Sequence, residues 1–123
     1  MKTFTQHKNI VPFVTKDGSL IRELMHPATH GNRNQSFAEA SMPPGVTTHL
    51  HRHHLSEEIY HITAGSGMMT LGERRFEVSI GDTICIPPGT AHNIRNTGSD
   101  DLRILCACAP PYAHADTELL DGQ

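Results

Sequence analysis

The stretch GVTTHLHRHHLSEEIYHITAG, residues 45–65, decides how the rest of the chain is read. Four of the ten histidines (His49, His51, His53 and His54) fall within six residues, and the carboxylates Glu57 and Glu58 follow directly. Side chains two apart on a strand point the same way, so His51 and His53 share one face. His54-Leu55-Ser56 is short enough to turn the chain and bring a glutamate on the next strand back beside that pair. Neutral imidazoles with a carboxylate are the donor set of a borderline divalent metal. A second stretch, GDTICIPPGTAHNIRN at 81–96, carries a lone His92 available to close such a site.

Working outward, the same alternation and punctuation recur. Gln35 to Met42 reads as a strand stopped by Pro43-Pro44-Gly45, and Thr47 to His53 and Glu58 to Thr63 read as the next two. Met68 to Leu71, Phe76 to Ser79, Thr83 to Ile86, His92 to Asn96 and Leu102 to Ala109 follow, separated by Gly, Pro and polar turns. Residues 1–34 lack strong periodicity apart from a turn at Thr15 to Ser19 and a short strand at Leu20 to Leu24; they read as an arm laid across the body. Residues 110–123 form a tail, with helical spacing only around Thr117 to Leu120. Short strands at close spacing with no sustained helix predict one all-β domain, a barrel over 35–109 with its mouth where the histidines gather.

Composition narrows the function classes. A chain of 123 residues with net charge -3 shows no basic stripe for nucleic acid or an anionic membrane. Met1 to Ile10 is polar, without the apolar run of a signal peptide or membrane span. Three cysteines without framework spacing predict reduced thiols and a cytoplasmic setting. Trp is absent and aromatics are few, which argues against a stacking platform for bases or sugars.

The intervals carry a resemblance. Gly45, His51, His53, Glu58 and Gly65 meet every interval of the first cupin motif, and Gly81, Pro87, Gly89, His92 and Asn96 meet every interval of the second. Two motifs in the right order make the match specific. The chain thus resembles the small stand-alone cupins. That resemblance implies a jelly-roll barrel, one divalent transition metal per chain (Mn, Fe, Ni, Co, Cu or Zn) held by His51, His53, Glu58 and His92, and commonly a homodimer. Glu58 rather than Glu57 has the motif's six residues before Gly65, so Glu57 is read as a solvated face residue.

The remaining candidates divide by parity. His49 shares parity with His51 and His53 and on that reading lines the same cavity, as a proton shuttle or a donor behind a ligand; the equal alternative is an exposed position near the strand's start. Tyr60 points inward with Glu58, as an acid, a base or a wall. His49 and Tyr60 are therefore the candidate proton-moving residues. His54 reads as a surface turn residue, His61 as a packing or dimer-contact residue, and His26 and His30 as loop residues. Cys106 and Cys108 read as buried small hydrophobes, and Asn96 as a residue satisfying backbone groups in its loop. For the tail from Tyr112 to Thr117, a loosely docked terminus is preferred over closure of the mouth.

Three imidazoles and a carboxylate leave two positions open on a six-coordinate ion. The expected function is a metal-dependent isomerase, lyase or dioxygenase acting on a small chelating metabolite, such as an oxo- or hydroxy-acid or a sugar-derived carbonyl compound. The alternative is a non-catalytic module that binds a small ligand or sugar.

Overall fold

Alternating apolar and polar residues between Gly and Pro turns fold into short antiparallel strands that build two facing sheets. The computed structural model describes residues 3–121, so the first two residues of the expected arm and the last two of the tail lie outside the described part. In chain order the strands are β1 (Phe13–Val14), β2 (Leu20–Met25), β3 (Ser36–Met42), β4 (His51–His53), β5 (Glu57–Ala64) and β6 (Ser66–Leu71). They continue with β7 (Arg74–Ser79), β8 (Thr83–Ile86), β9 (His92–Asn96), β10 (Leu102–Ala109) and β11 (Thr117–Leu119). One sheet has the order β1-β2-β3-β10-β5-β8 and the other β11-β4-β9-β6-β7. This is the all-β architecture that the turn spacing predicts, in the jelly-roll form that the resemblance implies, and among the described residues no helix is long and apolar enough to cross a membrane.

Strand parity decides what enters the interior. Along β5, Glu58, Tyr60 and Ile62 are buried while Glu57, Ile59 and His61 are exposed. A strand buried on one face must keep this register, because a one-residue slip would carry all three inner side chains into solvent. Ile62, Met69, Ile86, Ile94, Leu102 and Ile104 are almost fully buried between the sheets. Each such side chain contributes on the order of 1.5–3 kcal/mol of apolar burial, and the histidines adjoin this cluster.

Three expectations are corrected. The strand expected from Thr47 begins only at His51, with Thr47 in an isolated bridge to Arg95. The reason is that Thr48 and His49 donate their backbone N–H to Ile94 and to Asp17 of a distant loop, not to a continuous ladder. The arm is woven in rather than laid across: β2 pairs with β3 along most of its length, and β1 pairs with β2. The tail is firmly docked. Thr117 to Leu119, where helical spacing was read, is strand β11 paired with β4.

Candidate metal centre

The ladder between β4 and β9 places His51 directly opposite His92, with ring centroids 4.2 Å apart. His53 follows two residues on along the same inner face. All three rings are buried, His92 completely, and one nitrogen from each lies within 4.8 Å of the others. From the opposite sheet, β5 turns Glu58 inward, with Oε1 3.2 Å from His53 Nε2 and 3.5 Å from His92 Nε2. Glu57 faces solvent on the other side of β5. The structure thus brings together the four candidate ligands of the two motifs, His51, His53, Glu58 and His92.

The outward nitrogens fix the tautomers. His51 Nδ1 donates to the His49 carbonyl at 2.7 Å, and His92 Nδ1 donates to the Thr90 carbonyl at 2.9 Å. His53 Nδ1 contacts Thr117 Oγ1 at 2.9 Å, and that hydroxyl spends its own proton on the Ala113 carbonyl at 3.0 Å. Thr117 therefore accepts, and His53 donates. With Nδ1 protonated in each ring, all three Nε2 lone pairs face inward, the orientation in which such outer partners hold metal-ligating imidazoles.

Glu58 Oε1 and His92 Nε2 are buried and lack hydrogen-bond partners, a condition that costs about 1–3 kcal/mol per group if nothing else pairs them. Three lone pairs and a carboxylate oxygen this close repel one another unless positive charge lies between them, as a proton on an imidazole or as a metal ion. The donor set and the two orphaned atoms fit a borderline divalent cation. Burial alone would push the Glu58 carboxyl upward; the His53 and His92 imidazoles outweigh it and draw it down to about 2. Burial, followed by the neighbouring His92, lowers the His51 imidazole, while Asp17 pulls it the other way.

A cavity between the sheets opens beside this cluster and offers about 50 Å³ to the centres of water-sized groups. A single water needs about 10–15 Å³ by that measure, so a ligand of a few non-hydrogen atoms fits. Tyr60, Cys106 and Cys108 line it, as do Asp17 and Tyr112. Burial pushes the Tyr60, Cys106 and Cys108 groups well upward, so each remains a protonated donor near neutral pH. Cys108 Sγ donates to Glu58 Oε2 at 3.3 Å.

Several candidates fall outside the cavity. His49 stands at its exposed alternative position: its Nδ1 lies 3.0 Å from Asp121 Oδ2, and the side chain is 38% exposed. His54 is exposed beside Glu118, and His61 contacts the Thr83 hydroxyl on the outer face. His26 Nε2 donates to the Tyr112 carbonyl, and His30 Nδ1 accepts from the His26 backbone, so both brace their loop. Asn96 bonds the Met42 and Asp100 carbonyls and the Gly98 N–H, the backbone role expected of it. Sequence reasoning passed over Asp17, Tyr112 and Thr117 as members of the site. Asp17 Oδ2 lies 3.7 Å from His51 Nε2, and the Tyr112 ring stands edge-on to His53 at 5.7 Å. Their only sequence signals were a turn at Thr15 to Ser19 and a tail of uncertain docking.

Two outcomes follow for metal affinity. Thr117→Val removes the acceptor that orients His53 while keeping the side chain's shape, and should weaken metal binding about 10–100-fold in competition titrations against a chromogenic chelator. Unchanged affinity would mean that the hydroxyl does not set the ring. A histidine lowered below its unfolded value near 6.5 favours the native, neutral form above that pH and withdraws its contribution as pH falls through its folded value. Half-release of metal is therefore expected below about pH 6.5. Release complete at or above that value would contradict the arrangement.

The comparisons with known proteins agree with this geometry. The cupin domain family, Cupin_2, matches residues 38–108, more than half of the chain. The chain is 54% identical over 117 residues to the uncharacterized protein MJ1618 of Methanocaldococcus jannaschii, covering 95% of this chain and 94% of that one. It is 35% identical over 86 residues to an oxalate-binding protein of Thermotoga maritima, covering 70% of this chain and 67% of that one. The crystal structure of a predicted oxalate decarboxylase from Thermotoga maritima superposes with a TM-score of 0.77 at 26% identity, over 88% of this chain and 99% of that one. Jelly-roll sheets, both motifs and a buried three-histidine cluster lead to one conclusion: the chain belongs to the cupin family.

Proposed function

We propose that the protein is a metal-dependent enzyme whose substrate is a small chelating oxo- or hydroxy-acid or sugar-derived carbonyl compound. His51, His53, His92 and Glu58 would hold one divalent transition metal per chain. The observation that carries this reading is the convergence of three inward Nε2 lone pairs and the unpartnered Glu58 oxygen on a cavity sized for a few atoms. The relatives whose names concern oxalate support a small oxygen chelator as the ligand class. When bound, such an ion supplies Lewis acidity or, if redox-active, dioxygen chemistry. The chain's own contribution is to orient the ligand in a water-poor space and to offer the Tyr60 hydroxyl as a donor. His49, the other candidate for moving a proton, is not among the residues that line the cavity and holds Asp121 through Nδ1, so Tyr60 is the nearer candidate. The second reading, a binding module with the metal as anchor, is favoured by the oxalate-binding relative.

Elemental analysis of protein purified without added metal, followed by turnover assays with small oxo- and hydroxy-acids, tests these readings. Redox-neutral chemistry predicts turnover with zinc and no dependence on dioxygen. Oxygenase chemistry predicts zinc inhibition and incorporation of oxygen from the gas. Tight ligand binding without turnover under either atmosphere would remove the enzyme reading and leave the module.

A homodimer also belongs to this reading. Phe37, Ala107, Ile59 and Cys85 stand in one cross-strand row on the outer face of the six-stranded sheet, and Phe37 and Ile59 are 39% and 41% exposed. Pairing this face between copies would cover them. Sedimentation equilibrium should give twice the chain mass, and Ile59→Arg should give the single mass; a wild-type monomer at micromolar concentration would sink this part.

A further inference from the structure

We infer that Asp17 makes this site select chelators carrying one negative charge and a hydrogen-bond donor, such as 2-hydroxycarboxylates, over dicarboxylates such as oxalate. The inference rests on the metal-chelation reading above and adds to it the class of ligand.

Asp17 belongs to the loop between β1 and β2, outside both motifs. Its Oδ1 accepts from the Ser19 N–H at 2.9 Å and the Ser19 hydroxyl at 2.6 Å. With that oxygen tied down by two donors, Oδ2 is the one turned toward His51 Nε2, at 3.7 Å. The loop is fastened in place, since the Asp17 carbonyl accepts the His49 N–H at 2.8 Å. The unpartnered Glu58 Oε1 and His92 Nε2 mark where positive charge belongs, and Asp17 borders the cavity beside it.

The charge balance then decides what can enter. Glu58 and Asp17 together carry two negative charges, which cancel a divalent ion, and Glu23 adds another at the cavity wall. Among the described residues no lysine or arginine lines the cavity. Lys16, adjacent in sequence, instead donates its ammonium to the His114 and Thr117 carbonyls. A dianion would therefore enter a low-dielectric space with no net positive charge to receive it, and one of its carboxylates would face Asp17. A ligand with one carboxylate and a hydroxyl or amide next to it carries one charge fewer and can donate to Asp17 Oδ2.

Oxamate and oxalate are the probes, because they share a shape and differ by one charge and one donor group. Calorimetric titration of both into zinc-loaded protein gives the ratio of their dissociation constants, to be measured for the wild type, Asp17→Asn and Asp17→Ser. Both variants should keep their zinc and shift the ratio toward oxalate by about tenfold or more, the effect of removing one unit charge a few ångströms away. A ratio that stays within about twofold in a zinc-loaded variant would overturn the role of Asp17 while leaving metal chelation intact. Should neither variant fold, the wild type carries the test. Its preference for oxamate must then exceed that of zinc in a small tripodal chelate by about tenfold, and parity with the chelate overturns the inference. Binding of neither probe to the loaded wild type would sink the chelation reading itself, and the selectivity with it.

Discussion

Mutual repulsion among three imidazole lone pairs and a carboxylate oxygen is the constraint to which the rest of this fold answers. The groups stay together because each ring is held from behind. The acceptors that hold them come from three separate places: the His49 carbonyl just before β4, the Thr90 carbonyl in the turn before β9, and the Thr117 hydroxyl of β11. A neutral imidazole has one N–H and one bare nitrogen, so satisfying Nδ1 outward leaves Nε2 with nothing to donate. The inward geometry is thus a consequence of hydrogen bonds made outside the cavity.

The segments before β2 and after β10 both close the site. Asp116 accepts the backbone N–H groups of Leu55 and Ser56 at 2.9 and 3.1 Å, pinning the turn that returns Glu58 to the histidines. Ser56 Oγ donates to the Pro110 carbonyl at 2.8 Å. On the other side, the Gly89 N–H donates to the His53 carbonyl at 2.7 Å, with Gly89 at φ +77°, a conformation that glycine adopts without a Cβ penalty. The arm contributes β2 to one sheet and Asp17 to the cavity wall. A barrel of residues 35–109 alone would lack the acceptor for His53, the clasp on the turn and the second carboxylate.

What could be read from the sequence follows from how local its cause is. Alternation on a half-buried strand placed Glu57 and Glu58 on opposite faces, the motif interval to Gly65 pointed to Glu58, and the structure keeps the alternation from Glu57 to Ile62. The same rule left His49 ambiguous. It holds only inside a ladder, and β4 begins at His51, four residues later than the strand expected from Thr47. Thr117 and Asp17 carried no local mark of a role at the site beyond a tail and a turn: one contacts a ring 64 residues away, and the other reaches His51 from an ordinary-looking turn. Contacts of that span depend on where the tail and arm dock, and short polar segments carry no periodicity to announce it.

The division of labour between the two Glu58 oxygens shows why thiols suit this interior. Oε2 accepts from Cys108, leaving Oε1 directed at the imidazoles. Burial, followed by the Glu58 charge, holds the Cys108 thiol protonated, so it can only donate to that carboxylate and does not compete as an anionic ligand. An S–H is a weak donor, strong enough to orient the carboxylate and too weak to draw much of its charge away from the three nitrogens. A hydroxyl in its place would hold Oε2 more tightly and withdraw more of that charge. The small, apolar, weakly donating side chain at this position therefore lets Glu58 be fixed in direction while remaining an effective counter-charge for whatever cation the lone pairs receive.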